Sequence, residues 1–268
     1  MSDAPPAFAD LSNKAVLVTG ASRGIGRGIA LECAAAGADV AINFRSHPDE
    51  AAEVADAVRS LGRKAVTVQA DVADRDAVRR MTEDAASELG RLDGVVSNAA
   101  YSDREKMLKA DLDGFDRTIA VTQGGAFNVL YAAAKHFEQH AQPGSIVVVS
   151  SPHSYLPIPT AMAYNMAKAA IEMMARTAAI ELAEHRIRVN ILQPGWTDTP
   201  GERKFFTEDQ IAAGVQSLPW KRMGTPEEVG RMARLLLSDD ADYMTGSALL
   251  IDGGVSLPWW SNREDGGQ

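Results

Sequence analysis

Residues 16–30 read VLVTGASRGIGRGIA. A short apolar run gives way to three glycines, Gly20, Gly24 and Gly26, and then to an apolar helical pattern. The run is too short for a helix and suits a buried strand. Glycines between a strand and a helix permit a tight turn and let backbone N–H groups approach a pyrophosphate at the helix N-terminus. The spacing is G-x-x-x-G-x-G rather than the commoner G-x-G-x-x-G. A purely structural turn is the alternative, but the position after the first strand favours a dinucleotide site. That site would use Gly20, Ser22, Arg23, Gly24, Ile25 and Gly26.

The same alternation continues along the chain. Apolar runs at 39–44, 65–70, 92–97, 145–150, 188–193 and 248–252 read as six more strands. Helical patterns fall near 24–36, 49–61, 74–89, 113–139, 159–185 and 226–237, several of them stopped by a glycine such as Gly37, Gly62 or Gly90. The strands are continuous rather than alternating in hydropathy, as when helices cover both faces of a parallel sheet. The pattern predicts one doubly wound α/β domain with a seven-stranded parallel sheet over residues 11–256. MSDAPPAFAD at 1–10 reads as a flexible arm and not a secretory signal. Residues 195–225 read as an insertion or lid over the substrate, and 257–268 as a C-terminal tail.

The 268-residue chain is 46% hydrophobic and carries a formal charge of −9. That balance argues against a nucleic-acid partner, and no run of ~18 apolar residues offers a membrane span. Cys33 is the only cysteine and sits in an apolar helical run, so it predicts a buried, inert thiol in a cytoplasmic protein. His136 and His140 stand one turn apart without a third ligand in a recognisable pattern; they read as a helix end and no metal site is expected.

The second strand ends INFRS, with Phe44, Arg45 and Ser46 and no acid before Asp49. NAD sites usually place a carboxylate there for the ribose 2′-hydroxyl. Two guanidiniums, Arg45 and Arg23, suit a 2′-phosphate instead, which predicts NADP with NAD use left open.

YNMAK at 164–168 places Tyr164 and Lys168 on one helical face. With TGASRGIG, DV at 71–72, SNAA at 97–100 and QPG at 193–195, the chain resembles the short-chain dehydrogenase/reductase family from about residue 11 to 254. The resemblance implies a Rossmann-type oxidoreductase. It makes Tyr164 the catalytic acid/base, Lys168 its partner and ribose ligand, and Ser151, thirteen residues before the tyrosine, the group that holds the substrate oxygen. A phenol with an ordinary pKa of ~10 needs a nearby cation and the positive nicotinamide ring to act near neutrality. The resemblance also assigns Asp71 and Val72 to the adenine, Asn98 and Ala99 to the loop beside the cofactor, and Pro194, Gly195 and Thr199 to the loop that holds the nicotinamide amide, with the cofactor-binding candidate Thr197 nearby.

Two positions depart from the family pattern. Ala100 replaces a glycine. Thr122 stands where the family has a catalytic Asn that supports a proton relay, which puts the rate in question. A cofactor-binding protein with impaired catalysis is therefore one alternative. The wording around the motifs looks most like bacterial glucose 1-dehydrogenases, so an aldose is the expected substrate, with a 3-oxoacyl or general carbonyl reductase as the other alternative. Ser151, His153, Trp196 and the segment 201–219 are expected to wall the substrate. The resemblance further implies a homotetramer packed through the helices at 113–139 and 159–185. Trp259 and Trp260 are expected to cover a subunit interface or a neighbouring active site.

Overall fold

The computed structural model describes residues 8–257. The chain runs β1 (Ala15–Val18), α1 (Gly24–Ala35), β2 (Asp39–Phe44), α2 (Pro48–Ser60), β3 (Ala65–Gln69), α3 (Arg75–Leu89) and β4 (Gly94–Ser97). It continues through α4 (Leu112–Thr118), α5 (Gly125–Gln139), β5 (Gly144–Val149), α6 (Met162–Glu181), β6 (Ile187–Pro194), α7 (Glu208–Gln216), α8 (Pro226–Leu237) and β7 (Ala248–Ile251). Among the described residues the seven strands form one sheet in the order β3-β2-β1-β4-β5-β6-β7. Every pairing is parallel; Leu17, for example, lies between Ala41 and Val95.

The continuous apolar strands are explained by burial on both faces. Leu17, Val95, Ile146 and Val189 point into one core with α3, α5 and α6. Val16, Val18, Val96 and Val147 point into a second core with α1, α2 and α8. The helices α1 and α8 approach through glycines: a Cβ on Gly28 would stand 2.7 Å from Pro226 Cβ, and one on Gly230 would stand 2.6 Å from the Gly28 carbonyl oxygen. Local signals set the helix ends. Asp74 caps α3, accepting from the Asp76 and Ala77 amides at 2.9 and 3.0 Å, and Gly90 stops it with φ of 87°. Thr225 and Glu228 form a capping box at α8, with Pro226 in its first turn.

Four features differ from the sequence reading. The segment 195–225 contains α7, which begins with a capping box between Thr207 and Gln210. The helix expected over 113–139 is interrupted by a π turn at Ile119–Gly124 between α4 and α5. The strand β7 alternates in exposure, as suits its place at the sheet edge. Residues 8 and 9 of the expected arm are held down, their carbonyls accepting from Arg234 at 2.8 and 2.7 Å. Trp259 and Trp260 lie outside the described residues.

From β1 the chain winds outward to β3, then returns to β4 and winds the other way to β7. The carboxyl ends of β1 and β4 therefore flank the switch point, where doubly wound sheets open a crevice for ligands.

Candidate active site

At that crevice the glycine loop is stitched to its neighbours. Gly20 and Gly24 have φ of 62° and 54°, a region that favours glycine. The Gly20 amide donates to Asn43 Oδ1 at 3.1 Å. Asn98, just past β4, donates its side-chain amide to the Thr19 carbonyl at 2.8 Å, while Thr19 Oγ1 accepts from the Asn98 and Ala99 amides at 2.9 and 3.1 Å. Asn98 is thus a clamp between two strand ends. The sequence reading missed Asn43, which is 2% exposed and also donates to the Val68 and Ala70 carbonyls. Its signal was a lone amide inside the apolar run VAINF.

Helix α1 begins after Arg23 with no side chain capping its first turn. Its opening amides therefore face the groove as an anion cradle. That groove, about 320 Å³, is lined by Gly20, Ser22, Arg23, Gly24 and Ile25 on one side and by Phe44, Arg45, Ser46, Asp71 and Val72 on the other. Asn98, Ala99 and Thr199 complete it. Gly26 does not line it but makes it possible, because a Cβ there would stand 2.7 Å from Asn98 Nδ2. A dinucleotide fits these residues: a side-chain-free cradle for the pyrophosphate lies between two cationic arms.

Those arms have partners that the sequence did not show. Arg23 donates from Nε and Nη2 to both oxygens of Glu50, in the first turn of α2, at 2.7 and 2.6 Å. Arg45 Nη1 lies 3.7 Å from Asp71 Oδ2. The expectation of two guanidiniums without a carboxylate is corrected accordingly, since α2 turns Glu50 back toward the glycine loop.

Beyond Ile25 and Asn98 the groove opens into a cavity of about 410 Å³ lined by Ser151, Tyr164 and Lys168. Pro194, Gly195, Thr197 and Thr199 form its wall beside the glycine loop. Ser151 follows β5, is 6% exposed, and turns its hydroxyl oxygen to the His153 amide at 3.3 Å. Neighbouring Ser150 gives its hydroxyl to Glu172 at 2.8 Å. Lys168 donates to the Val149 carbonyl at 2.7 Å, and its Nζ stands 5.4 Å from the centre of the Tyr164 ring.

Burial sets the proton affinities. Desolvation pushes the Tyr164 phenol up to about 12, Glu202 adds to the rise, and the Ser151 hydroxyl and Arg104 oppose it. Desolvation brings Lys168 down to about 8, against the pull of Glu172. Desolvation also lowers His153, against the opposing pull of the Leu156 carbonyl that accepts from its Nδ1–H at 2.9 Å. The same cause pushes the fully buried Cys33 thiol up to about 12, which makes it inert near neutrality.

Thr122 is set apart from the other three catalytic candidates, since it does not line this cavity. In the π turn its hydroxyl donates to the Tyr101 carbonyl at 2.6 Å and accepts from the Tyr101 amide at 2.9 Å. Both bonds are lost in Thr122→Val, which leaves two backbone groups unpaired beside a residue 1% exposed. A loss of about 2–3 kcal/mol in urea unfolding is expected; an unchanged midpoint would show that Thr122 is not a structural tie.

His153 and Trp196 both line the cavity. His153 meets Tyr164 edge to face at 6.5 Å, and Trp196 meets Phe206 at 5.6 Å while α7 packs Gly214 against it. A further pair escaped the sequence reading. Arg104, after β4, donates to Glu202 in the lid at 2.8 Å, with side chains 14% and 25% exposed. Phe205 lies 4.0 Å from the guanidinium. At the carboxyl end of α5, His140 Nδ1–H donates to the His136 carbonyl at 2.8 Å and closes the helix.

A family model described as enoyl-(acyl carrier protein) reductase matches residues 20–256. The chain is 34% identical to glucose 1-dehydrogenase 2 of Bacillus subtilis over 251 residues, 93% of this chain and 97% of that protein. It is 35% identical to a 3beta-hydroxysteroid dehydrogenase of Eggerthella lenta, covering 93% and 96%. Among solved structures, a short-chain type dehydrogenase/reductase from Mycobacterium marinum superposes with a TM-score of 0.89 at 36% identity, covering 94% and 98%. A gluconate 5-dehydrogenase from Burkholderia cenocepacia, in complex with NADP and tartrate, superposes with a TM-score of 0.86 at 30% identity, covering 92% and 97%. With a family model matched over residues 20–256 and relatives at 34–36% identity along nearly the whole of both chains, the chain belongs to the short-chain dehydrogenase/reductase family of NAD(P)-dependent oxidoreductases.

Proposed function

We propose that the chain moves hydride between NADP(H) and an aldose or related polyhydroxylated alcohol or carbonyl, with Ser151, Tyr164 and Lys168 as its catalytic residues. One observation carries this reading: Ser151, Tyr164 and Lys168 line a cavity that shares Ile25, Asn98 and Thr199 with the glycine-loop groove. NADP, when bound, would supply the hydride acceptor or donor and, in its oxidised form, a positive charge that would favour the phenolate. In oxidation the Tyr164 oxygen takes the hydroxyl proton while the Ser151 hydroxyl donates to the substrate oxygen. In reduction Tyr164 returns that proton. Lys168 would hold the ribose hydroxyls and, as an ammonium, favours the phenolate.

The polar end of the cavity supports a hydroxyl-rich substrate. Arg104 offers donors, Glu202 acceptors and His153 an imidazole, over apolar walls that include Leu156 and Phe206. Glucose is the substrate named for one relative. A panel of D-glucose, L-rhamnose, a hydroxysteroid and a 3-oxoacyl thioester tests the class. An aldose is expected to show the highest kcat/KM; a thioester or steroid preferred by tenfold or more would refute it.

NADP preference rests on Arg45 and Arg23, whose guanidiniums suit a 2′-phosphate. Glu50 holds Arg23 until such an anion competes for it. Arg45→Ala is expected to weaken NADP binding by about tenfold or more, since hydrogen bonds to charged groups are worth ~1.5–3 kcal/mol, and to leave NAD binding within a few-fold. Glu50→Gln is expected to tighten NADP and not NAD. Equal effects of Arg45→Ala on both cofactors would show that this guanidinium does not read the phosphate.

Assembly as a homotetramer in the cytoplasm is part of the same proposal. Phe127 and Tyr131 on α5 and Met166, Met173 and Ile180 on α6 are exposed apolar side chains that a second copy would cover. No helix among the described residues is long and apolar enough to cross a membrane.

A further inference from the structure

One turn beyond Lys168 on α6 stands Glu172, a carboxylate 5% exposed that the chemistry above leaves without a task. A buried charge is costly unless it is bonded, and this one is. Its Oε1 accepts from Ser150 Oγ at 2.8 Å and from Gln193 Nε2 at 2.6 Å, and its Oε2 accepts from Arg176 Nη2 at 3.1 Å. Ser150 directly precedes Ser151, and Gln193 directly precedes Pro194 and Gly195. One carboxylate oxygen thus ties the strand end that carries the substrate-oxygen donor to the strand end that carries the nicotinamide loop. Lys168 meets the first of these ends as well, its Nζ on the Val149 carbonyl at 2.7 Å and its own carbonyl 3.5 Å from Ser150 Oγ. Tyr164, Lys168 and Glu172 follow one another at four-residue steps along one face of the helix.

We propose that Glu172 is a positioning residue for the reaction, a carboxylate that holds Lys168 as an ammonium and thereby keeps Tyr164 able to release its proton. This rests on the acid/base assignment of Tyr164 and Lys168. With one proton between them, the two groups exist either as phenol and amine or as phenolate and ammonium. Burial alone favours the neutral form, raising the phenol and lowering the amine, and Glu172 opposes it at Lys168. Glu172 stands one turn from Lys168 and two turns from Tyr164, ~6 and ~12 Å along the helix axis, and its charge is felt at Lys168, which favours the ionised pair. The other charged or titratable groups around the pair are Arg176 on α6, His153 after β5, Arg104 after β4 and Glu202 in the lid. Arg104 and Glu202 neutralise each other, and Arg176 is 43% exposed, so it offsets Glu172 only in part.

The ionisation of Tyr164 can be read directly from tyrosinate ultraviolet absorption of the NADP-bound protein, as the difference between each variant and the same variant carrying Tyr164→Phe. In Glu172→Gln, nearly isosteric, the ionisation is expected to move upward by about one pH unit, and the pH limb of alcohol oxidation with it. Gln193→Leu cuts the strand tie, keeps the charge, and is expected to leave the ionisation in place. No shift in Glu172→Gln, or an equal shift in Gln193→Leu, overturns the inference. Should Glu172→Gln not fold, Glu172→Leu combined with Gln193→Leu removes both partners together, which is the milder change, and must show the same upward shift; an unmoved ionisation there overturns it too. If Tyr164→Phe is inactive while Glu172→Gln shows no shift, the acid/base assignment stands and this inference alone falls. If Tyr164→Phe keeps its turnover, the assignment itself falls.

Discussion

Tyr164→Phe is expected to reduce turnover by at least ~10²–10⁴-fold, the usual contribution of a matched acid/base, and to leave NADP affinity within a few-fold. The substitution removes one oxygen. The ring keeps its edge contact with His153 at 6.5 Å and its place 5.4 Å from Lys168 Nζ. Ser151 and the glycine loop are untouched, so binding should survive where chemistry does not. Steady-state kinetics on the best substrate of the panel, beside fluorescence titration with NADPH, separates the two. Turnover within tenfold of the parent would sink the assignment.

The same tyrosine fixes the sign of the pH dependence. Oxidation needs the phenolate, and in the protein without cofactor burial, with a smaller push from Glu202, holds the phenol up at about 12. The rate of alcohol oxidation is therefore expected to rise with pH through the neutral and mildly alkaline range. The limb lies below 12 only as far as the Lys168 ammonium and the oxidised cofactor stabilise the phenolate. Lys168 itself, brought to about 8, loses its charge in that range, so the limb belongs to the pair and not to either residue. Carbonyl reduction needs the protonated phenol and is expected to weaken as pH rises.

What could be read in the sequence was what is local or periodic. The strand–glycine–helix unit, the helix-stopping glycines and the four-residue spacing of Tyr164 and Lys168 each lie within one turn or one strand of the chain. Of the residues named from the glycine loop and the Tyr164–Lys168 spacing, all but Gly26 line the groove or the cavity, while the helix-stopping glycines lie away from both. What escaped was pairing across distance. Glu50 reaches Arg23 across 27 residues, Glu202 reaches Arg104 across 98, and Gln193 reaches Glu172 across 21, distances over which spacing gives no signal. The family comparison located Thr122, but only the fold shows its hydroxyl spent on the Tyr101 backbone. The helix α7 is a different case, for TEDQ at 207–210 is a capping-box signature overlooked among scattered prolines and charges.

Gly26→Ala is expected to lower NADP affinity by about a hundredfold or more, although Ala is the better helix former by ~1 kcal/mol. Gly26 is 2 residues into α1, and its backbone φ is not positive, so alanine is excluded there by space rather than by conformation. The added Cβ would stand 2.8 Å from the Gly20 carbonyl carbon and 2.7 Å from Asn98 Nδ2. Neither neighbour can yield freely. Gly20 is held by Asn43 at 3.1 Å, and the Asn98 amide is spent on the Thr19 carbonyl at 2.8 Å. Relief must come from moving the loop off the helix, which turns the amides of the anion cradle away from the pyrophosphate. Losing two such amide bonds to the charged pyrophosphate, at ~1.5 kcal/mol each, costs on the order of a hundredfold in affinity. Gly124→Ala is the matched control: its Cβ would meet only the Ile119 carbonyl oxygen, at an ordinary 3.7 Å, so NADP affinity should hold and stability should rise slightly. Fluorescence titration with NADPH and a thermal melt on both variants decide the matter. If Gly26→Ala binds NADPH within threefold of the parent, the tight seat of the loop on α1 is not what shapes the cradle.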